Sequence, residues 1–182
     1  MTKLQSLMSR GFLLCLTVAG LAGCNSHSAN SPPSPKKAAV AMGEIGSQMP
    51  EFTLPDLQGR TITSADLRGK VVLIDFWATW CQPCKKEMPG YQKLADLYAA
   101  RGFAVVGFKF DVMPDTEDPV QFAKKIGVRY PLAVAAEDLK QKFGGIEGLP
   151  TTLIYDRQGV LSQKIIGFEY TDAVQAMVKP LL

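Results

Sequence analysis

The feature that most constrains the fold is a buried strand that runs into a pair of cysteines at the start of a helix. Residues 71–77 form an almost continuous apolar run, as expected of a central strand covered on both faces. Cys81 and Cys84 follow, and apolar residues at helical spacing come after them. Two sulfurs one helical turn apart can join as a disulfide or separate as a dithiol. This arrangement indicates exchange of electron pairs with the cysteines of another protein.

The cysteine count limits the other kinds of site that the chain can build. Cys15 lies in an N-terminal targeting segment and Cys24 where such a segment would be cut, which leaves Cys81 and Cys84 without a further cysteine for a structural disulfide. A zinc ribbon needs a second pair of ligands, and the only histidine, His27, lies in a predicted linker. We therefore predict neither a metal site nor a cofactor. The alternative is a CxxC disulfide that only stabilises a turn.

Residues 1–23 have the features of a signal peptide. Lys3 and Arg10 give the segment a positive start, and the apolar stretch that follows is too short to span a bilayer comfortably. The stretch ends in Leu-Ala-Gly-Cys, which resembles the lipobox of bacterial lipoproteins. That resemblance implies cleavage before Cys24 and lipidation of its sulfur. The alternatives are an ordinary secretory signal, cut near the same point, and an uncleaved anchor.

The rest of the chain divides into a tether and one domain. Residues 24–43 are rich in Ser and Pro and cannot bury a core, so we expect a flexible tether. Residues 44–182 have the length of a single domain. Of the 20 basic residues, Lys3 and Arg10 leave with the signal peptide, and a near-neutral balance against 17 acidic residues gives no support to nucleic-acid binding. We predict a lipid-anchored protein of the bacterial cell envelope that faces the periplasm or extracytoplasmic space.

Periodicity and turn residues predict an α/β domain, with a mixed central sheet flanked by helices on both faces and an N-terminal β-hairpin extension. The predicted strands lie at 49–54, 61–63, 71–77, 103–110, 131–135, 151–155 and 160–166. The predicted helices lie at 83–100, 118–126, 137–143 and 171–182. Pro89 is expected to kink the first of these helices.

Three separated motifs resemble those of a known family. They are the stretch 69–85, with WCQPC at its end, the tripeptide Glu87-Met88-Pro89, and the stretch 148–156, which begins Gly-Leu-Pro-Thr. In this order and spacing they resemble the membrane-anchored TlpA/ResA-type thiol-disulfide oxidoreductases of the thioredoxin superfamily. The resemblance covers about residues 46–182 and implies the thioredoxin fold.

The resemblance assigns unequal roles to the two cysteines. It implies that Cys81 is the exposed nucleophile and that Cys84 is the shielded, resolving thiol. A helix N-terminus favours a thiolate at position 81, because unsatisfied N–H groups and the helix dipole lie there. Cys81 then attacks a substrate disulfide, and Cys84 resolves the mixed disulfide.

Substrate contacts are expected around the cysteines and at a proline that faces them in the family. By resemblance, Trp80, Gln82 and Pro83 contact the substrate, although Trp80 is equally well explained as a packing residue. Pro150 matches a position that is cis in the family, where the backbone of Leu149 pairs with an incoming peptide strand. An ordinary trans proline at the start of a strand remains the alternative.

Two charged residues fall in strands that are otherwise apolar. Asp75 matches a buried aspartate of thioredoxins, where many TlpA/ResA-type members have asparagine, and Lys109 matches its partner lysine. We expect Asp75 to have a raised pKa and to take the Cys84 proton through water, with Lys109 moderating it. The alternative is a solvent-facing aspartate at the end of a strand.

The predicted function is reduction of protein disulfides, with electrons supplied by a thiol-type donor in the membrane. Gln82 and Pro83 add neither charge nor histidine between the cysteines, which favours a reductant over an oxidant. The family suggests clients in cytochrome c maturation or in redox homeostasis of the envelope, and we expect a monomer. The alternatives are a thioredoxin-fold copper chaperone and a thiol peroxidase related to the peroxiredoxins. A copper chaperone would need a histidine ligand near the cysteines, which this chain lacks. The WCxxC pair fits a thiol peroxidase poorly.

Overall fold

The computed structural model describes residues 43–110 and 113–182, and this part of the chain contains seven strands and four α-helices. The signal peptide, Cys24 and nearly all of the predicted tether lie outside the described residues. The strands are β1 (Thr53–Pro55), β2 (Thr61–Thr63), β3 (Val71–Trp77), β4 (Phe103–Phe110), β5 (Leu132–Ala135), β6 (Thr151–Tyr155) and β7 (Leu161–Ile166). The helices are α1 (Gln82–Tyr98), α2 (Pro119–Lys125), α3 (Glu137–Lys142) and α4 (Thr171–Val178).

Five strands form the central sheet, in the order β5-β4-β3-β6-β7. The β3–β4 and β4–β5 pairs are parallel, whereas β6 runs antiparallel to both β3 and β7. The first two strands form a separate antiparallel hairpin. The sheet is therefore mixed, and the predicted hairpin extension is confirmed. Every residue of β3 is buried, because this strand has a neighbour on each side and a core on each face.

The two faces of the sheet carry two apolar cores. Leu73 and Trp77 point to the core that α1, α2 and α4 cover, and the Trp77 ring stacks on Phe122 of α2 at 5.1 Å. Ile74 and Phe76 point to the other core, which α3 and the N-terminal hairpin cover. Helices therefore lie on both faces, as predicted. No helix in residues 43–110 and 113–182 is both long and apolar enough to cross a bilayer.

Helix α1 continues past Pro89 as one element and ends at Tyr98, where a short 3₁₀ turn leads to Gly102. Gly102 has a φ of 73°, a left-handed conformation that glycine adopts without steric cost. A Cβ at Gly90 would collide with the side chain of Thr171, so α1 and the start of α4 approach closely there. This contact holds the β7–α4 loop beside α1.

Arg157 ties together three segments at the end of the sheet where β3 begins. Its guanidinium donates to the carbonyl oxygens of Gly69 at 3.0 Å, Arg101 at 2.8 Å and Leu182 at 3.1 Å. Because these bonds have a charged donor, we expect Arg157→Ala to lower the free energy of unfolding by about 2 kcal/mol, measured by urea denaturation. Arg68→Ala is the control, since Arg68 makes one exposed ion pair and should change stability by less than about 0.5 kcal/mol. Equal effects of the two changes would contradict the assignment.

Candidate functional site

A disulfide bond joins Cys81 and Cys84 at the junction between β3 and α1. Cys81 is the N-cap of α1, and the amide of Cys84 donates a hydrogen bond to its Sγ at 3.2 Å. The two Cα atoms are 5.3 Å apart, within the range that a disulfide needs. The amide donor and the helix N-terminus both favour negative charge at position 81 after reduction.

Cys81 is more enclosed than the sequence predicted. Cys84 is 0% exposed, as expected of a shielded thiol, but Cys81 is only 3% exposed. The expectation of an exposed Cys81 is therefore wrong for the disulfide state, because the bond holds its sulfur against the buried Cys84. The residues between them, Gln82 and Pro83, are exposed and form the outer surface of the motif.

Asp75 lies inside the protein, in the middle of the central strand. It is 0% exposed, which excludes the solvent-facing alternative. Burial raises its pKa to about 7, and a long hydrogen bond of 3.4 Å from the Tyr130 hydroxyl to Oδ2 lowers the pKa in part. Oδ1 has no hydrogen-bond partner among the described residues. Asp75 is therefore partly protonated and partly ionised near neutral pH.

Glu87 is a second buried carboxyl group that the sequence interpretation missed. It is 2% exposed, and neither of its oxygens makes a hydrogen bond to any described residue. Its pKa is raised to about 9, mainly by burial and next by the charge of Asp75. The Glu169 amide and the Tyr91 hydroxyl lie near enough to lower this pKa in part. We call Asp75 and Glu87 the buried acid pair.

Spacing on α1 could have pointed to Glu87. It lies three residues after Cys84 and four before Tyr91, so the three share one helix face. Tyr91 is fully buried, and its hydroxyl lies 2.9 Å from Oγ1 of Thr152 on β6, the residue that pairs in register with Asp75. The helix face that carries Cys84 therefore turns Glu87 toward the central strand.

Lys109 pairs with an acidic residue of the loop that follows β4. Its Nζ donates to Oδ2 of Asp115 at 2.8 Å, in the loop that follows β4. The β3–β4 register explains this, because Lys109 lies opposite Trp77, whereas Asp75 lies opposite Gly107. Lys109 therefore lies opposite Trp77 rather than Asp75, and its moderating role toward Asp75 stays a prediction.

The loop after β4 also balances charge beside the cysteines. Asp115 accepts a hydrogen bond of 2.8 Å from the hydroxyl of Thr79, which is fully buried two residues before Cys81. Glu117 lies 3.8 Å from Nζ of Lys85, the residue after Cys84, and 3.5 Å from Nζ of Lys125. Carboxylates of this loop thus accompany cations close to the CxxC motif.

The predicted substrate residues lie at the end of the sheet that carries the disulfide. The Leu149–Pro150 peptide bond is cis, which confirms the expectation from the family motif. Thr151 follows and pairs with Phe76 near the end of β3, so Pro150 lies beside the strand end that leads to the cysteines. Leu149 and Trp80 are partly buried, and the Trp80 indole N–H has no partner among the described residues.

In residues 43–110 and 113–182, no three His, Cys, Asp or Glu side chains are grouped to hold a metal ion.

Comparisons with known proteins agree with this geometry. Residues 45–164 match the AhpC/TSA family. The chain is 33% identical over 167 residues to "Thiol-disulfide oxidoreductase ResA" of Geobacillus thermodenitrificans, covering 92% of this chain and 91% of that protein. It is 34% identical over 142 residues to ResA of Bacillus anthracis, covering 76% and 79%. The crystal structure of a putative thiol:disulfide interchange protein DsbE from Chlorobium tepidum superposes with a TM-score of 0.68 at 28% identity, covering 76% of this chain and 97% of that one.

Proposed function

This chain belongs to the AhpC/TSA family and is a thiol-disulfide oxidoreductase of the ResA type, and we propose that it reduces protein disulfides outside the cytoplasmic membrane. The observation that carries the proposal is a CxxC disulfide at the N-terminus of α1 with two buried carboxyl groups on the elements behind it. Reduction requires a thiolate that attacks and a second thiol that loses its proton inside the protein. The helix terminus supports the first requirement, and the buried acid pair supports the second.

The proposed reaction proceeds through two exchanges of sulfur bonds. The Cys81 thiolate attacks a client disulfide, a mixed disulfide forms, and one client sulfur leaves as a thiolate that takes a proton from solvent. Asp75 takes the Cys84 proton, because with a pKa of about 7 it is partly ionised at neutral pH, whereas Glu87 keeps its proton. Cys84 then attacks the Cys81 sulfur, and the second client sulfur leaves and is protonated. The client gains two electrons and two protons, and the protein returns to its disulfide.

The charge balance at the motif supports a reductant. Cations beside a reactive cysteine stabilise its thiolate and therefore the dithiol state, which makes the protein a stronger oxidant. Lys85 follows Cys84, but Glu117 lies against its ammonium group and offsets its charge. Gln82 and Pro83 add no charge of their own.

Glu117→Gln should therefore make the protein more oxidising. With the charge of Lys85 no longer offset, we expect the equilibrium with a glutathione buffer to shift about threefold toward the dithiol, measured by alkylation and mass spectrometry. Lys85→Gln should shift it the opposite way. Glu137→Gln is the matched control, because Glu137 pairs with Lys140 on α3, on the other face of the sheet, and should leave the equilibrium unchanged. A shift toward the disulfide in Glu117→Gln would contradict this role.

The N-terminal segment supports the proposed location. A signal peptide over residues 1–23 and a lipid on Cys24 would attach the domain to the bacterial envelope through a tether at residues 24–43. We propose that the protein works there as a monomer and that a membrane donor of thiol type reduces it. Protein disulfides are its substrates, and we propose that they include cysteines of apocytochrome c or of other envelope thiol proteins.

Trapping the clients tests this function. Cys84→Ala removes the resolving thiol, so mixed disulfides through Cys81 should accumulate in cells and be identified by mass spectrometry after release with a reductant. The double variant Cys81→Ala/Cys84→Ala is the control and should trap nothing. Trapped proteins of the cell envelope would support the proposed location, whereas cytoplasmic clients alone, or none, would contradict the proposal.

A further inference from the structure

An exposed apolar surface lies beside the redox site. Ile166, at the end of β7, is 74% exposed, and Phe168 and Tyr170 in the following loop are 39% and 69% exposed. The two rings lie edge to face, with centroids 5.1 Å apart. We call these three residues the aromatic rim. The other large apolar side chains exposed in residues 43–110 and 113–182 are those of Ile45, Leu97, Met113, Val120 and Val134.

Backbone contacts place the rim next to the predicted substrate residues. The amide of Gly167 donates to the carbonyl of Pro150 at 2.9 Å, and Ile166 pairs in register with Thr151. The close contact of Gly90 with Thr171 fixes the other end of the loop on α1, the helix that begins at the disulfide. The rim is therefore continuous with the surface that a client must touch to react.

The same loop reaches the buried acid pair. Glu169 lies between the two aromatic residues, and its backbone amide lies near enough to Glu87 to lower the pKa of that carboxyl group in part. A client that packs on the two rings thus contacts the loop that also carries Glu169.

We propose that the aromatic rim binds an apolar side chain of the client, one to three residues from the cysteine that bonds to Cys81, so that protein disulfides flanked by aromatic or branched aliphatic residues are preferred substrates. The proposal rests on the proposed function and names its substrate class. A client cysteine bonded to Cys81 holds its neighbours within a few residues' reach, about 3.3 Å for each extended residue. Exposed rings gain from burial against another apolar group, with a further contribution from ring contacts.

The test compares two peptides that carry the same intramolecular disulfide, with Phe or Ser after the first cysteine. We expect the parent protein to reduce the Phe peptide with a kcat/KM about tenfold higher. The double variant Phe168→Ser/Tyr170→Ser should bring this ratio within about twofold of unity. Tyr170→Phe, which keeps the ring, should retain the preference. Leu97→Ser/Val134→Ser is the matched control, because it removes two equally exposed apolar side chains elsewhere and should keep the parental ratio.

The outcomes separate this proposal from the proposed function. Equal reduction of both peptides by the parent, or a rim variant that slows both by the same factor, would overturn the rim's role while the reductase function stands. A parent protein that reduces neither peptide would contradict the proposed function itself. The alternative occupant of the rim is a second copy of the chain, which sedimentation would detect. If the parent protein sediments as a dimer and the rim variant as a monomer, the proposal is overturned.

Discussion

Cys81→Ser should lower multiple-turnover reduction of insulin by a factor on the order of 10³ or more, because it removes the attacking sulfur. Cys84→Ser should lower turnover comparably but leave the first exchange intact, so one client molecule remains bound through Cys81. The asymmetry follows from position. Cys81 caps α1 and receives the Cys84 amide, whereas Cys84 is fully enclosed in the first turn.

Two measurements check this asymmetry. Mass spectrometry should detect a stoichiometric mixed disulfide with Cys84→Ser and none with Cys81→Ser. In the reduced parent protein, iodoacetamide should modify Cys81 much faster than Cys84. Equal and slow labelling of both thiols, or full turnover in either variant, would contradict the assigned roles.

The sequence predicted the sheet well because its strands are strongly patterned. The apolar run of β3 and the Asp-Arg-Gln-Gly turn before β7 leave few alternatives, and both are found. Helix ends were predicted less well. The C-terminal helix was predicted to reach residue 182 but gives way to a 3₁₀ turn after Val178, since Pro180 has no N–H to continue the α-helical pattern.

The site residues that belong to a sequence motif could be predicted, whereas those positioned by packing between distant segments could not. The cysteines and Pro150 follow from local sequence. The partner of Lys109 depends on the β3–β4 register, which places it opposite Trp77 and which no single strand reveals. Glu87 was missed because a glutamate on a helix usually faces solvent. Its burial emerges only when α1, β3 and the loop before α4 pack together.

The buried acid pair should make the parent protein less stable as pH rises. The folded-state pKa values of Asp75 and Glu87 are raised, to about 7 and about 9, from ordinary values near 4. Below pH 4 both groups are protonated whether the chain is folded or unfolded, so they add no penalty. From pH 4 to 9 the unfolded chain releases these protons first, and stability falls.

Asp75→Asn and Glu87→Gln should each reduce this loss. At pH 9 we expect each variant to exceed the parent in free energy of unfolding, by an amount on the order of 2–4 kcal/mol, with little difference at pH 4. Urea denaturation of the oxidised proteins across this range measures the effect. Glu51→Gln is the control, because Glu51 makes only an exposed ion pair. Parallel pH profiles for parent and variants would show that the two carboxyl groups are not buried as described.

The same variants should separate the two acids in catalysis. In the parent protein, the rate at which Cys84 resolves a mixed disulfide should rise through about pH 7 as Asp75 ionises. Asp75→Asn should remove that rise and slow resolution about tenfold at pH 7.5, within the range for loss of a general base. If Asp75→Asn matches the parental rate across pH 6–9, Asp75 is not the proton acceptor.

The charge interaction between Asp75 and Glu87 makes the variant that lacks both carboxyl groups informative. The charge of Asp75 helps to raise the Glu87 pKa, so Asp75→Asn should lower that pKa from about 9 and leave Glu87 as the remaining acceptor at alkaline pH. Asp75→Asn should therefore recover part of its rate above pH 8. Asp75→Asn/Glu87→Gln should recover none, because neither carboxyl group remains to take the Cys84 proton. Recovery in the double variant would mean that the proton leaves by solvent instead, with the buried acids affecting stability alone.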